Sequence, residues 1–211
     1  MVVGLSGVAG AGKDLFFTLL SQKLSCQRFS LADALKTEIA QFSWDQYGID
    51  PLTCSRKQKD LIRPFLVLHG KLKRDLTKGR YWIKELNKKI YLNNTTNSIV
   101  VITDIRYDDY PKDEVYWLKE ELGGLLVHVS MYEKAPSLCG SCYKDFKQPI
   151  NKDEAENDPK IKAQADYTVE WKKVKGDINK QLEPHINTFV AWLDRKKSGL
   201  SAYKKAEDTR V

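Results

Sequence analysis

A chain of 211 residues has room for one well-cored α/β domain and would be crowded by two. Lys and Arg outnumber Asp and Glu by 35 to 28, a formal net charge of +7 that suits an anionic partner; the excess is diffuse, lies alongside acids in helical segments and comes without an aromatic stacking platform, which argues against dedicated nucleic-acid binding. No apolar run approaches the roughly 18 to 20 residues of a membrane span and no basic stretch precedes a long apolar core at the N-terminus, so no membrane partner is expected and the protein reads as cytoplasmic. Four cysteines (Cys26, Cys54, Cys139, Cys142) make no disulfide framework in a chain of this size, and Cys139-Gly-Ser-Cys142 is half of a zinc knuckle with no second half.

The first apolar run, Val2-Val3-Gly4-Leu5, is followed by Gly7-Val-Ala9-Gly10-Ala11-Gly12-Lys13-Asp14 and then by Leu15, Phe16, Leu19, Leu20 and Leu24 at helical spacing. Strand, glycine loop and helix in that order are the context of a phosphate loop. Glycines let backbone N–H groups turn inward around phosphate oxygens, the helix offers its positive end, and Lys13 can reach the β- and γ-phosphates of a nucleotide. Residues Gly7, Ala9 to Leu15 and above all Lys13 are therefore the nucleotide-binding candidates. Asp14 stands where Ser or Thr would ordinarily ligate Mg²⁺.

Cys26 to Ser30 reads as a second strand, and Leu31 to about Phe42 as a helix whose start carries Asp33 and Lys36. Trp44 to Ser55 reads as a loop. A basic helical stretch follows from Arg56; Pro64 is expected to kink it or to begin a new helix. Another amphipathic helix starts at Tyr81-Trp82 and ends near Asn93-Asn94. Ser98 to Thr103 is an uninterrupted β-branched run, so a central parallel strand buried on both faces is predicted. It ends on Asp104, at the edge where doubly wound sheets bind ligands, which makes that residue either a Mg²⁺-side acid or a helix cap. Arg106 lies two residues on. A helix over Asp113 to Leu122 stops at Gly123-Gly124, and Leu125 to Met131 is a fourth strand with His128 as a packed, hydrogen-bonded core or edge histidine. Residues 132–163 show no sustained apolar period and read as a lid. Asp166 to Glu170 is a fifth strand, Asp177 caps a last helix kinked at Pro184, and the polar tail from Lys196 is expected to fray. Alternating strands and helices predict an α/β fold: a five-stranded, mostly parallel sheet with helices on both faces. Its core would comprise residues 1–30, 99–131 and 166–195, with a helical insert at about 31–98, a lid at about 132–163 and a tail at 196–211.

Five segments in this order, Leu5-Ser-Gly-Val-Ala-Gly-Ala-Gly-Lys-Asp14, Leu31-Ala-Asp-Ala-Leu-Lys36, Gly79-Arg-Tyr-Trp82, Ile102-Thr-Asp-Ile-Arg106 and Ala165-Asp-Tyr-Thr-Val169, resemble the deoxynucleoside monophosphate kinases of tailed bacteriophages over Val2 to about Leu193. The resemblance implies a P-loop kinase fold and transfer of the γ-phosphoryl group of ATP, with Mg²⁺, to a dNMP in DNA precursor synthesis. It implies that Lys13, Asp104 and Arg106 are catalytic, that Asp14 and Asp104 attend the metal, and that Asp33, Lys36, Arg63, Arg74, Tyr81, Trp82 and Arg106 hold the acceptor. For Arg63 and Arg74 a solvated helix face is an equal reading. By analogy with the family, a homodimer is expected, in the cytoplasm of an infected host cell if the chain is phage-encoded. The sequence departs from the pattern in the lid, where Lys134 and Lys144 stand in a stretch without arginine. The animal-type phosphomevalonate kinases share the Gly-Lys-Asp loop and the Asp-x-Arg segment and are the alternative enzyme; a nucleotide-dependent nucleic-acid-binding protein is the alternative outside kinases.

Overall fold

The computed structural model describes residues 1–93, 98–135, 143–174, 176 and 178–208. Strand β1 (Val2–Ser6) runs parallel between β3 (Ile99–Ile102) and β4 (Leu125–Ala135), with Val3 opposite both Val101 and Leu125. Strand β2 (Cys26–Phe29) lies parallel outside β3, and β6 (Tyr167–Lys172) lies parallel outside β4. These are the five parallel strands that the apolar runs predict. A sixth, β5 (Tyr143–Phe146), pairs antiparallel with the far end of β4, Tyr132 to Ala135.

Alternation along the strands divides the core in two, because successive side chains point to opposite faces. Val3, Leu5, Val101, Val127 and Val129 face one layer, formed by α1 (Lys13–Ser21) and α7 (Ile178–Asp208) through Phe16, Leu20, Ile186 and Phe189. Val100, Ile102 and Leu126 face the other layer. There they meet Leu31 and Ala34 of α2 (Leu31–Tyr47), Trp82, Ile83 and Leu86 of α4 (Arg80–Leu92), Val115 of α5 (Glu114–Tyr116) and Ile161 of α6 (Lys152–Ala163). Gly4 belongs to this second face: a Cβ there would come within 2.3 Å of the Leu118 side chain, so the glycine admits the π-helical turn Trp117–Glu121 against the sheet.

Between β2 and β3 the chain leaves the sheet for α2, α3 (Arg56–Thr77) and α4. Helix α2 runs past Phe42 to Tyr47 and ends at Gly48 in the left-handed region (φ 62°), whose N–H reaches back to the last turn. Helix α3 starts in a capping box, Ser55 with Gln58, and continues unbroken through Pro64. Ile62 and Leu66, on either side of that proline, are buried with Ile39 and Ile49 of the α2 end, so packing outweighs the missing backbone donor.

The described residues of 132–163 carry more regular structure than the composition of the segment predicts. Strands β4 and β5 pair at the end of the sheet, and α6 buries only Asn157 and Ile161, which leaves no apolar period to read. Helix α6 begins at Asn151, whose side chain accepts from the Glu154 N–H at 2.8 Å. Helix α7 extends through Asp208 and so includes most of the segment read as a fraying tail. Cys139, Cys142 and the proposed cap Asp177 lie outside the described residues. Among the described residues no helix is long and apolar enough to cross a membrane.

Candidate active site

The loop between β1 and α1 is built where glycine is obligatory. Gly7 has φ 124°, and a Cβ on it would meet the Val129 carbonyl oxygen at 2.1 Å. Gly12, the N-cap of α1, has φ 98°, and a Cβ there would fall 2.6 Å from the Trp171 ring. The same indole donates from Nε1 to the Ala11 carbonyl at 2.9 Å, so β6 supports the loop from below. Lys13, the first residue of α1, is buried and its ammonium curls back to donate to the carbonyls of Gly7 and Val8. Burial, assisted by the positive charge of Arg106, lowers its pKa to about 8; Glu154, Asp104 and Asp14 pull the other way. Those four charged groups are therefore the surroundings of Lys13.

The two predicted Mg²⁺-side acids differ in their surroundings. Asp104 is buried at the end of β3 and caps α2: its carboxylate accepts from the N–H groups of Leu31 and Ala32 and from the Ser30 hydroxyl, each at 2.8 Å. Three of roughly four lone-pair positions are thus committed to the helix start. Asp14 is the opposite case, with a side chain 85% exposed in the first turn of α1 and Arg28 Nη2 3.7 Å away.

Arg28, on β2, ties the two helix starts together. It donates to Asp33 at 2.7 Å, and Lys36 donates to the other oxygen of the same carboxylate at 2.8 Å; Asp33 is held ionised by these two cations against its partial burial. Beyond them, the Lys59 ammonium is pushed down in pKa first by burial, then by the charges of Lys36 and Arg63. Lys36, Lys59 and Arg63 thus form a basic cluster between α2 and α3, within which Arg63 also pairs with Asp60 of its own helix at 2.7 Å. Arg106 is exposed, and among the described residues its guanidinium makes no hydrogen bond or ion pair, while its backbone N–H donates to Glu114 at 2.6 Å.

Two expected site residues, Arg74 and Trp82, are packed into the fold. Arg74 is buried, bidentate on Asp113 (2.8 and 3.1 Å), bonded to Glu114 at 3.1 Å and stacked 3.8 Å over the Tyr107 ring. It anchors the end of α3 to the segment after β3 and presents no donor fork to an acceptor. Trp82 is packed in the second core layer with its Nε1 donating to the Gly70 carbonyl at 3.1 Å. Of the two lysines in the arginine-free lid stretch, Lys144 donates to Glu170 at 2.8 Å and lies over Tyr132; the side chain of Lys134 lies outside the described residues. Tyr81 stays partly exposed, its hydroxyl donating to Glu38 at 2.6 Å.

Two side chains that sequence reading passed over reach the loop instead. Lys147, which follows β5, lies against Gly10, where a Cβ would be 2.6 Å from its Cε and 3.4 Å from its ammonium. Glu154 of α6 accepts from the Ala9 N–H with both carboxylate oxygens, at 3.1 and 3.3 Å. Nothing local marks either residue, since each arrives through the hairpin and helix whose placement the sheet decides.

The fold and the loop define the class: a mostly parallel α/β chain with a glycine-rich Gly-Lys-Asp turn between its central strand and first helix. No family model matches the chain, and no curated protein does. Among solved structures it is similar to a dephospho-CoA kinase from Campylobacter jejuni (TM-score 0.48, 9% identity, covering 93% of this chain and 98% of that one). It is similar to a shikimate kinase from Bacteroides thetaiotaomicron (TM-score 0.44, 12% identity, 92% and 98%) and to TT1252 from Thermus thermophilus (TM-score 0.42, 14% identity, 92% and 97%). At these scores the likenesses carry no weight for function, which rests on the chain's own site.

Proposed function

We propose that this chain is an ATP-dependent P-loop phosphotransferase, and specifically a kinase of deoxynucleoside monophosphates. The observation that carries the reading is the loop: obligate glycines at 7 and 12, a buried lysine folded over the loop carbonyls, and the start of α1 behind it. A lysine so held needs little rearrangement to meet an anion arriving over the loop amides. Asp14 would attend Mg²⁺ with its exposed carboxylate, and the remaining lone pair of Asp104 suffices for a metal-bound water. No cluster of three His, Cys, Asp or Glu side chains gathers among the described residues, which fits a cation bound through one or two carboxylates and nucleotide phosphates. When bound, Mg²⁺ would neutralise charge on the transferring group.

The acceptor phosphate would lie between the two helix starts, met by Lys36, Lys59 and Arg63, with Arg28 and Asp33 fixing the near edge. Arg106, unpaired among the described residues and close enough to Lys13 to lower its pKa, would stabilise the transferring group. Lys147, lying against Gly10, would face the donor phosphates. The exposed leucines of α3, Leu61, Leu68, Leu72 and Leu76, form an apolar stripe that supports pairing with a second copy, which sedimentation would test.

The test is ADP release from ATP–Mg²⁺ with each dNMP, each NMP and phosphomevalonate offered singly. Stimulation by dNMPs is expected. Stimulation by phosphomevalonate alone would select the alternative kinase, and stimulation by none would defeat the kinase reading.

A further inference from the structure

The carboxylate on the loop comes from a fixed element. Helix α6 is held against the sheet by buried Ile161 and by Asp158, 3.1 Å from His128, and against the segment after β3 by Asn157, whose Oδ1 accepts from the Asp108 N–H at 2.8 Å. At its start the Ile150 N–H donates to Glu154 at 3.2 Å, so Glu154 bridges the loop and the strap of residues 147–151 that leads into α6. Its two oxygens share the N–H of Ala9, in the middle of the glycine loop and 145 residues distant in sequence. A carboxylate and a phosphate are both anions presenting oxygens to the same kind of donor. One N–H cannot serve both fully, and two anions side by side repel one another.

We infer that Glu154 is a built-in competitor for the phosphate site: it holds the Ala9 N–H in the closed loop and must withdraw before a polyphosphate can settle there. The withdrawal is local. Ile150 offers Glu154 a second backbone donor on the strap itself, so a change in the Glu154 side chain frees Ala9 while α6 stays docked. Lys147 then remains against Gly10 with its ammonium free, among the described residues, to face the incoming anion. The device sets a threshold, because a ligand that binds only the open loop has its apparent affinity reduced by the fraction of chains in which the loop is open. This inference rests on the loop being a phosphate site.

The experiment measures binding of ATP–Mg²⁺ and of inorganic tripolyphosphate by calorimetry to the wild-type chain and to Glu154→Gln, Glu154→Asp and Lys13→Ala. Glu154→Gln keeps an oxygen acceptor and removes the charge; Glu154→Asp keeps the charge at the helix start but shortens the reach by one methylene. Both are expected to bind about tenfold more tightly than wild type, as for a loop open about one-tenth of the time. Wild-type binding that is weakened in Lys13→Ala but unchanged or weakened in both Glu154 variants would overturn the competitor and leave the phosphate loop standing. Binding that Lys13→Ala leaves intact, or no binding by wild type and the Glu154 variants alike, would overturn the loop reading and with it this inference. In the wild-type chain the Glu154 carboxyl carbon resonance is expected to shift on adding tripolyphosphate; an unmoved resonance under saturating ligand also overturns the competitor.

Discussion

Trp171 supports the glycine loop from beneath: its ring stands where a Cβ on Gly12 would come within 2.6 Å, and its Nε1 donates to the neighbouring Ala11 carbonyl at 2.9 Å. Strand β6 therefore sets the height of a loop that belongs to β1 and α1. Replacing Trp171 by Phe removes the donor and part of the packed ring, and should cost about 2–3 kcal/mol in urea unfolding. Nucleotide binding should weaken as well, because the loop loses its support.

The burial of Lys13 has a pH signature of two opposite signs. Its folded-state pKa, about 8, lies below the ordinary lysine value of 10.5, so the unfolded chain binds more protons between these limits. Its contribution to stability should accordingly rise with pH through that window. Phosphate favours the ammonium form, so nucleotide binding above pH 8 takes up a proton, and log Kd for ATP should climb toward about one unit per pH unit. Titrations from pH 7 to 9.5 check both; a flat log Kd with intact folding would exclude Lys13 from the phosphate site.

Asp104 and Asp14 should separate cleanly. Asp104→Ala leaves the Leu31 and Ala32 N–H groups and the Ser30 hydroxyl without an acceptor, at a cost of about 2–4 kcal/mol. Asp14→Ser should barely move the unfolding midpoint and should shift the Mg²⁺ concentration needed for half-maximal turnover. Equal stability of the two variants would remove the capping role assigned to Asp104.

Arg74 and Arg63 make a matched pair on one helix. Arg74→Ala strands Asp113 and Glu114 in the core and is expected to cost about 3–5 kcal/mol. Arg63→Ala removes a half-exposed side chain paired with Asp60, so stability should change by about 0.5 kcal/mol or less while KM for the acceptor rises. The kinetic change in Arg63→Ala distinguishes an acceptor contact from a solvated face.

Lys147→Ala should lower turnover by about tenfold or more, and Lys144→Ala should leave it nearly unchanged, since only the former ammonium lies against the loop. The reverse order would return the lid role to the hairpin lysine.

What could be read from residues in order was whatever is encoded within a few turns of chain. The strand-glycine-helix succession at Val2 to Leu24, the buried run at Ile99 to Ile102 and the packed character of His128 all follow from local spacing and residue type, and the structure contains each. The parallel sheet followed from the alternation of strands and helices. Tertiary structure decided which charges remain at the surface. Arg63 and Arg74 look alike on the page, yet only Arg74 meets buried acids, 39 and 40 residues further along the chain. It also decided what covers the loop. Glu154 and Lys147 carry no motif, because their position comes from the pairing of β4 with β5 and β6 and from the docking of α6 on the sheet. Local sequence specified the glycine loop through backbone conformations that only glycine adopts; long-range packing alone brought the carboxylate and the ammonium that stand over it.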